Sequence, residues 1–346
     1  RMAALDATTN PLLDGTNGLP EIEPDTSPID PSDDGDPERG WFTNRQGLRL
    51  ATYKWLPKGH VKGVVVGVHG IDGHVRFEFM HFAGLKTGEL TKAQFDGSWA
   101  QGLTQAGYAL YAFDLQSHGR SQGVEEGKKC FVDKFQDFVD DIILYYSMVR
   151  ALNPELPVFL LGASMGGCLC SRVGEQISTT SPMDGVILLC PALNVDKVKQ
   201  QCKNRVLLPL VGCISRVYPT LALGDKAVNT MFPIMDDIIA ADKLCYHGKI
   251  RARIADEFIK TIDAAADDAP EMVAPLLMVH SSLDTMCDPK GTKEFYARCS
   301  SEDKTIDILP EKDNFWHGLM HEPGNEERIL PVVVEWMDKR LAKRPK

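Results

Sequence analysis

A serine stands at the centre of Gly162-Ala163-Ser164-Met165-Gly166. On a sharp strand-to-helix turn this spacing exposes the hydroxyl, because bulky side chains two residues to either side would collide. A serine hydroxyl is a weak nucleophile near neutral pH and needs a base that is itself oriented by a buried acid. Downstream, Asp284 lies in Ser281-Ser282-Leu283-Asp284-Thr285, and His317 lies in Phe315-Trp316-His317-Gly318. The residues therefore spell nucleophile, orienting acid and base in chain order. Two backbone donors must also hold the developing oxyanion: the amide of Met165, at the start of the following helix, and that of Ile71, in His69-Gly70-Ile71-Asp72-Gly73-His74. The chemistry implied is acyl transfer through a covalent serine ester, with water as final acceptor.

Each assignment has a competitor. Asp288 competes with Asp284, either of which can serve as a turn acid or a helix cap. His321 competes with His317, but its neighbours Glu322-Pro323 predict an exposed position. Asp114, with Ser117-His118-Gly119-Arg120-Ser121, ends the wrong strand for this order and reads as a structural turn. His69 reads as a packing residue beneath its loop.

These groups must sit at strand ends. Val158 to Leu161 is an apolar run entering Ser164. Trp41 to Thr43, Leu48 to Trp55, Val61 to Val68, Ala109 to Phe113, Gly185 to Leu189, Ala274 to His280 and Thr305 to Leu309 read as further strands. Between them, Phe95 to Gln105, the helical spacing of Phe131, Phe135, Phe138, Ile142 and Tyr146, and Ile329 to Leu341 predict helices. Strands alternating with helices imply a mostly parallel sheet covered on both faces, with ligands at the carboxyl ends of its strands.

Residues 194–272 break this rhythm. Val195 to Val217 and Leu244 to Ala264 are amphipathic, and no buried strand is evident. They read as a helical cap inserted into a core formed by 41–193 and 273–346, roofing the site. Leu210 and Ile214, with Val206, Leu207 and Val211, are expected to line a tunnel for an acyl chain or to touch a lipid surface. Residues 1–40, rich in Pro, Asp and Gly, read as a leader that is disordered or laid loosely on the surface.

The 346 residues carry a net charge of -10, and no long basic cluster offsets it, which argues against nucleic acid as a partner. The nine cysteines lack any Cys-x-x-Cys pair, which fits reduced thiols in a cytoplasmic setting. The chain starts at Arg1, so an upstream targeting segment is compatible with it. No apolar run approaches the roughly 18–20 residues of a membrane span. The scattered histidines lack metal-ligand spacing, and no metal or organic cofactor is expected.

Taken together, Val68-His69-Gly70, Phe113-Asp114 with His118-Gly119-Arg120-Ser121, the Ser164 pentad, Leu283-Asp284 with Cys287-Asp288, and Trp316-His317-Gly318 resemble the α/β-hydrolases. Within these the likeness is to the monoacylglycerol lipase and lysophospholipase branch with its plant-type esterase relatives, and it covers roughly residues 41–341. The cap segment Pro219 to Gly224 is similar to that branch as well. The resemblance implies an α/β-hydrolase fold, a Ser164–Asp284–His317 triad, Met165 and Ile71 as oxyanion donors, and Ala163 and Cys287 beside the substrate. It implies cleavage of small-molecule or lipid esters. Acyl transfer, a hydroxycinnamoyl-type esterase and a low-turnover ligand sensor are the alternatives on the same residues. Two positions depart from the branch: Ala163 stands where many relatives carry histidine, and Gly73 where an acid often precedes the histidine.

Overall fold

The computed structural model describes residues 18–27, 34–194, 202–224 and 228–343, with backbone alone for 202–209. Its elements, in chain order, are β1 (Glu23–Pro24), β2 (Glu38–Thr43), β3 (Arg49–Trp55), β4 (Gly63–Val68), α1 (Val75–Glu78), α2 (Gly84–Thr87), α3 (Trp99–Gln105), β5 (Tyr108–Phe113), α4 (Phe135–Leu152), β6 (Val158–Ala163), α5 (Met165–Ile177) and β7 (Gly185–Leu189). The insertion follows as α6 (Cys202–Val217), β8 (Ala222–Gly224), α7 (Ile234–Ala241), β9 (Ile250–Arg251) and α8 (Ala252–Asp268). The chain closes with β10 (Leu276–Ser281), α9 (Pro289–Arg298), β11 (Lys304–Leu309), α10 (Asn325–Arg328) and α11 (Leu330–Leu341).

One sheet runs in the order β1-β2-β3-β5-β4-β6-β7-β10-β11. From β5 to β11 every neighbouring pair is parallel, and the β1, β2 and β3 pairings are antiparallel. All six residues of β4 are buried, because the sheet is covered on both faces: Val64, Val66 and Val68 join one apolar cluster and Val65 the other. After β4 the chain moves to β5 on one side, then returns to β6 on the other. That reversal opens a crevice at the carboxyl ends of β4 and β6, where ligands bind in such sheets. The loops carrying Ile71 and Ser164 leave from these two ends.

Two expectations need correction. The leader is not wholly without structure, since Glu23–Pro24 pairs with Trp41 and Gly40 at the sheet edge. Asp25, beside it, binds Arg39 and Arg120 at 3.5 and 2.7 Å. A two-residue strand has no periodicity to detect, so only its partners reveal it. In the insertion, the last helix starts at Ala252 rather than Leu244, because Asp242 to Tyr246 turns back to the core, with the Tyr246 amide on the Asp72 carbonyl at 2.8 Å. A short antiparallel pair, β8 with β9, ties the insertion together. Residues 195–201 lie outside the described residues, as do the side chains of Val206 and Leu207.

Candidate active site

Ser164 sits between β6 and α5 with φ 53° and ψ -119°, a left-handed conformation that costs a non-glycine residue of order 1–3 kcal/mol. The glycines around it make the turn possible. A Cβ on Gly162 would lie 2.3 Å from the Gly166 carbonyl oxygen, and one on Gly166 would lie 2.4 Å from that of Val68. The start of α5 therefore packs directly against the end of β4. Its first amide, Met165, has no acceptor one turn back.

The loops after β10 and β11 bring two more groups to the serine. His317 Nε2 lies 2.8 Å from Ser164 Oγ, and His317 Nδ1 lies 2.7 Å from Asp284 Oδ2. Asp284 is wholly buried. Its Oδ1 accepts the Met286 and Cys287 amides at 2.8 and 2.9 Å, and its Oδ2 also faces His280 Nε2 at 3.1 Å. Burial by itself would raise the Asp284 carboxyl, but His317 and His280 outweigh it and hold it well below the usual carboxylate range. Burial likewise pushes His317 down, and the Asp284 charge and hydrogen bond reverse this, helped by Glu322 and Glu78, so its pKa is raised. Because Nδ1 faces a carboxylate, it carries the proton, which leaves Nε2 a lone pair toward the serine hydroxyl. This arrangement can draw a proton from Ser164.

The competing residues take other places. Asp288 caps α9, accepting the Lys290 amide at 3.0 Å. Asp114 is buried and holds its own turn, accepting the Val75 and Arg120 amides at 2.9 and 2.8 Å. His118 Nδ1 meets the Gln116 carbonyl at 3.0 Å. His69 is fully buried, with burial pushing its pKa down to about 3. The ring donates from Nδ1 to the Gly70 carbonyl at 2.7 Å and accepts the Leu115 amide on Nε2 at 3.0 Å.

His321 is a correction. It is buried rather than exposed, its ring 5.2 Å from Phe77 and 5.6 Å from Phe82, and burial lowers its pKa to about 4. The adjacent Glu322, taken as a sign of exposure, is buried too. It accepts the amides of Trp316, His317 and Gly318 at 2.6, 3.0 and 2.7 Å. A carboxylate satisfied by three backbone donors is invisible to composition. Glu322 thus shapes the loop that presents His317. His280, on β10, was also missed.

A cavity of about 680 Å³ opens over Ser164 and His317. Ala163 and Cys287 line it, with Val211, Met235, Ile254 and Phe258 from the insertion. Leu210 and Ile214 are not among its lining residues, and Leu210 is 53% exposed. Each helical residue turns by roughly 100°, so the phase that brings Val211 inward carries Leu210 outward. Burial pushes the Cys287 thiol well up, which keeps it protonated. Among the described residues, two groups bring three metal-capable atoms together. Cys190, Asp284 and His317 coincide with the hydrogen-bonded relay; His74, Asp242 and Cys245 join the β4 loop to the insertion, with His74 Nε2 on Asp242 Oδ2 at 3.0 Å.

Comparison with known proteins follows the same lines. The chain is 25% identical over 303 residues to the monoglyceride lipase of Rattus norvegicus, covering 87% of this chain and 90% of that one. It is 26% identical over 328 residues to the caffeoylshikimate esterase of Arabidopsis thaliana, covering 89% and 90%. The crystal structure of Paleococcus ferrophilus monoacylglycerol lipase superposes with a TM-score of 0.63 at 22% identity, over 84% of this chain and 99% of that one. The fold is that of the α/β-hydrolases. Residues 88–324 match the family model Hydrolase_4, and the chain belongs to that family, described as serine aminopeptidase, S33.

Proposed function

We propose that the chain is a serine ester hydrolase of monoacylglycerol- or lysophospholipid-like lipids, working through an acyl-enzyme on Ser164, His317 and Asp284. The observation that carries this reading is the 2.8 and 2.7 Å relay from Ser164 through His317 to Asp284, set in the wall of a large apolar cavity. His317 Nε2 takes the serine proton as Oγ attacks the ester carbonyl. The amides of Met165 and Ile71 hold the oxyanion, and the alcohol departs with the proton from His317. Water, deprotonated by the same histidine, then releases the acid and regenerates Ser164. Relatives named monoglyceride lipase support the class of substrate.

The insertion acts here as a lid whose inner residues, Val211, Ile254 and Phe258, receive the acyl chain. Its exposed Leu210, Val217, Tyr218 and Leu221 rest on a lipid surface. Among the described residues no helix is long and apolar enough to cross a membrane. The deeply buried thiols of Cys168, Cys170 and Cys190 suit a reducing, cytoplasmic setting.

A panel of esters graded in acyl length tests the reading. Each buried methylene contributes about 0.8 kcal/mol, so kcat/KM rises about fourfold per CH2 over short chains and levels off once the cavity fills. A flat or falling profile would overturn the lipid assignment. Hydroxycinnamoyl esters belong in the panel, because Phe77, Phe258 and Trp316 in the wall suit an aromatic acyl group and a caffeoylshikimate esterase is among the relatives.

The pH profile follows from His317. The base must be neutral, and its pKa lies above the ordinary 6.5. Activity is therefore full above that raised value and is lost as pH falls through it. The acid limb of kcat/KM is expected to have its midpoint above 6.5; a midpoint at or below it would count against His317 as the base.

A further inference from the structure

Glu78 is a buried carboxylate that the mechanism above leaves unused. It ends α1, is 8% exposed and lines the cavity beside the nucleophile. Burial pushes its carboxyl up to about 7, the Gly70 amide opposing the shift. A group held at such a cost needs a reason. Its Oε2 accepts the Gly70 N–H at 2.8 Å, while Phe77 lies beside the His321 ring, whose Nε2 stands 3.8 Å from Oε1.

Gly70 is sandwiched between this carboxylate and the serine. A Cβ there would lie 3.4 Å from Glu78 Oε2 and 3.6 Å from Ser164 Cβ. Its carbonyl is held from the other direction by His69 Nδ1 at 2.7 Å. That carbonyl shares a peptide plane with the Ile71 amide, and in a trans peptide the two point opposite ways. Holding Gly70 on both its N–H and its C=O therefore determines where the Ile71 N–H points.

We propose that Glu78 is a positioning residue for the oxyanion hole: with His69 it clamps Gly70, so that the Ile71 amide faces the carbonyl oxygen of the bound ester. This rests on the ester hydrolase reading. The work is done by an acceptor at the place of Oε2, and a carboxyl oxygen accepts in either protonation state. A glutamine, which keeps an acceptor oxygen, should therefore replace Glu78, and a methionine of similar length should not.

The test compares E78Q and E78M in the full chain, using a medium-chain ester and an alkyl boronic acid that forms a tetrahedral adduct with the serine. In E78M, kcat falls about 10²-fold, as for loss of one oxyanion donor, and KM changes by less than about threefold. Boronic acid affinity falls in step with kcat, whereas affinity for the fatty acid product, which needs no oxyanion, does not. E78Q stays within about fivefold of wild type. E78A offers the same comparison should E78M fold poorly. Equal losses in E78Q and E78M, or a loss in E78M confined to KM, would overturn the proposal, as would wild-type turnover in E78M. Absence of ester turnover in the wild type itself would overturn the ester hydrolase reading, and this proposal with it.

Discussion

Ser164→Ala is expected to lower ester turnover by about 10⁴-fold or more, the loss typical when the nucleophile of such a relay is removed. The substitution deletes only Oγ. The Cβ that already tolerates φ 53° remains, as do Gly162 and Gly166, whose close contacts shape the turn. The cavity and its acyl-binding wall should persist, so a non-hydrolysable fatty amide still binds. A fluorophosphonate should label wild type on Ser164, as read by mass spectrometry of the peptide, and should fail to label the variant. His317 loses the hydroxyl 2.8 Å from its Nε2 whose proton it would take. Undiminished turnover or intact labelling in the variant would remove Ser164 as the nucleophile.

Asp284→Asn is expected to cost roughly as much, about 10⁴-fold in kcat, for a different reason. Four donors meet this carboxylate: the Met286 and Cys287 amides on Oδ1, His317 Nδ1 and His280 Nε2 on Oδ2. His280 Nε2 faces only acceptors, Asp284 Oδ2 and the Cys287 carbonyl at 3.2 Å, so it carries its hydrogen, and its Nδ1 accepts from the Thr292 hydroxyl at 2.6 Å. An amide NH2 turned toward either side meets donors. If it faces His317, the ring adopts the tautomer with the proton on Nε2 and can no longer accept from Ser164. If it faces the loop, two backbone amides lose their acceptor, at about 1–3 kcal/mol each. Asp288→Asn is the control, because Asp288 caps α9 through the Lys290 amide, and its kcat should stay near wild type. Equal effects at the two positions would mean that Asp284 acts through folding alone.

Much of the framework was legible beforehand because it rests on local rules. β4, β6 and β7 announce themselves as short, wholly apolar runs because both faces of the sheet are covered. The turn at Ser164 shows in its glycines because steric exclusion acts within four residues. The acid and base were legible as residue types on the last two strand-to-helix loops, and the structure brings both within hydrogen-bond distance of their partners.

What escaped depends on contacts between distant segments. His321 and Glu322 look solvent-facing in a polar stretch, yet three amides of the preceding loop and the rings of Phe77 and Phe82 enclose them. Leu210 and Ile214 were assigned to the cavity because amphipathicity shows that a helix has an apolar face but not which neighbour that face meets. Glu78 reads as an ordinary acid on a short helix until β4 and α1 are folded together and the Gly70 amide arrives at its oxygen.

The sequence alone thus determined the order of the strands along the chain and the glycine-flanked turn, and it offered Ser164, Asp284 and His317 as candidates for nucleophile, acid and base, since these follow from short-range sterics and residue chemistry. Only the tertiary structure decided which acid meets which histidine, which helix face lines the cavity and which buried carboxylates hold the loops in place. Those outcomes are set by long-range packing, where a polar group is tolerated only if the rest of the fold delivers a partner to it.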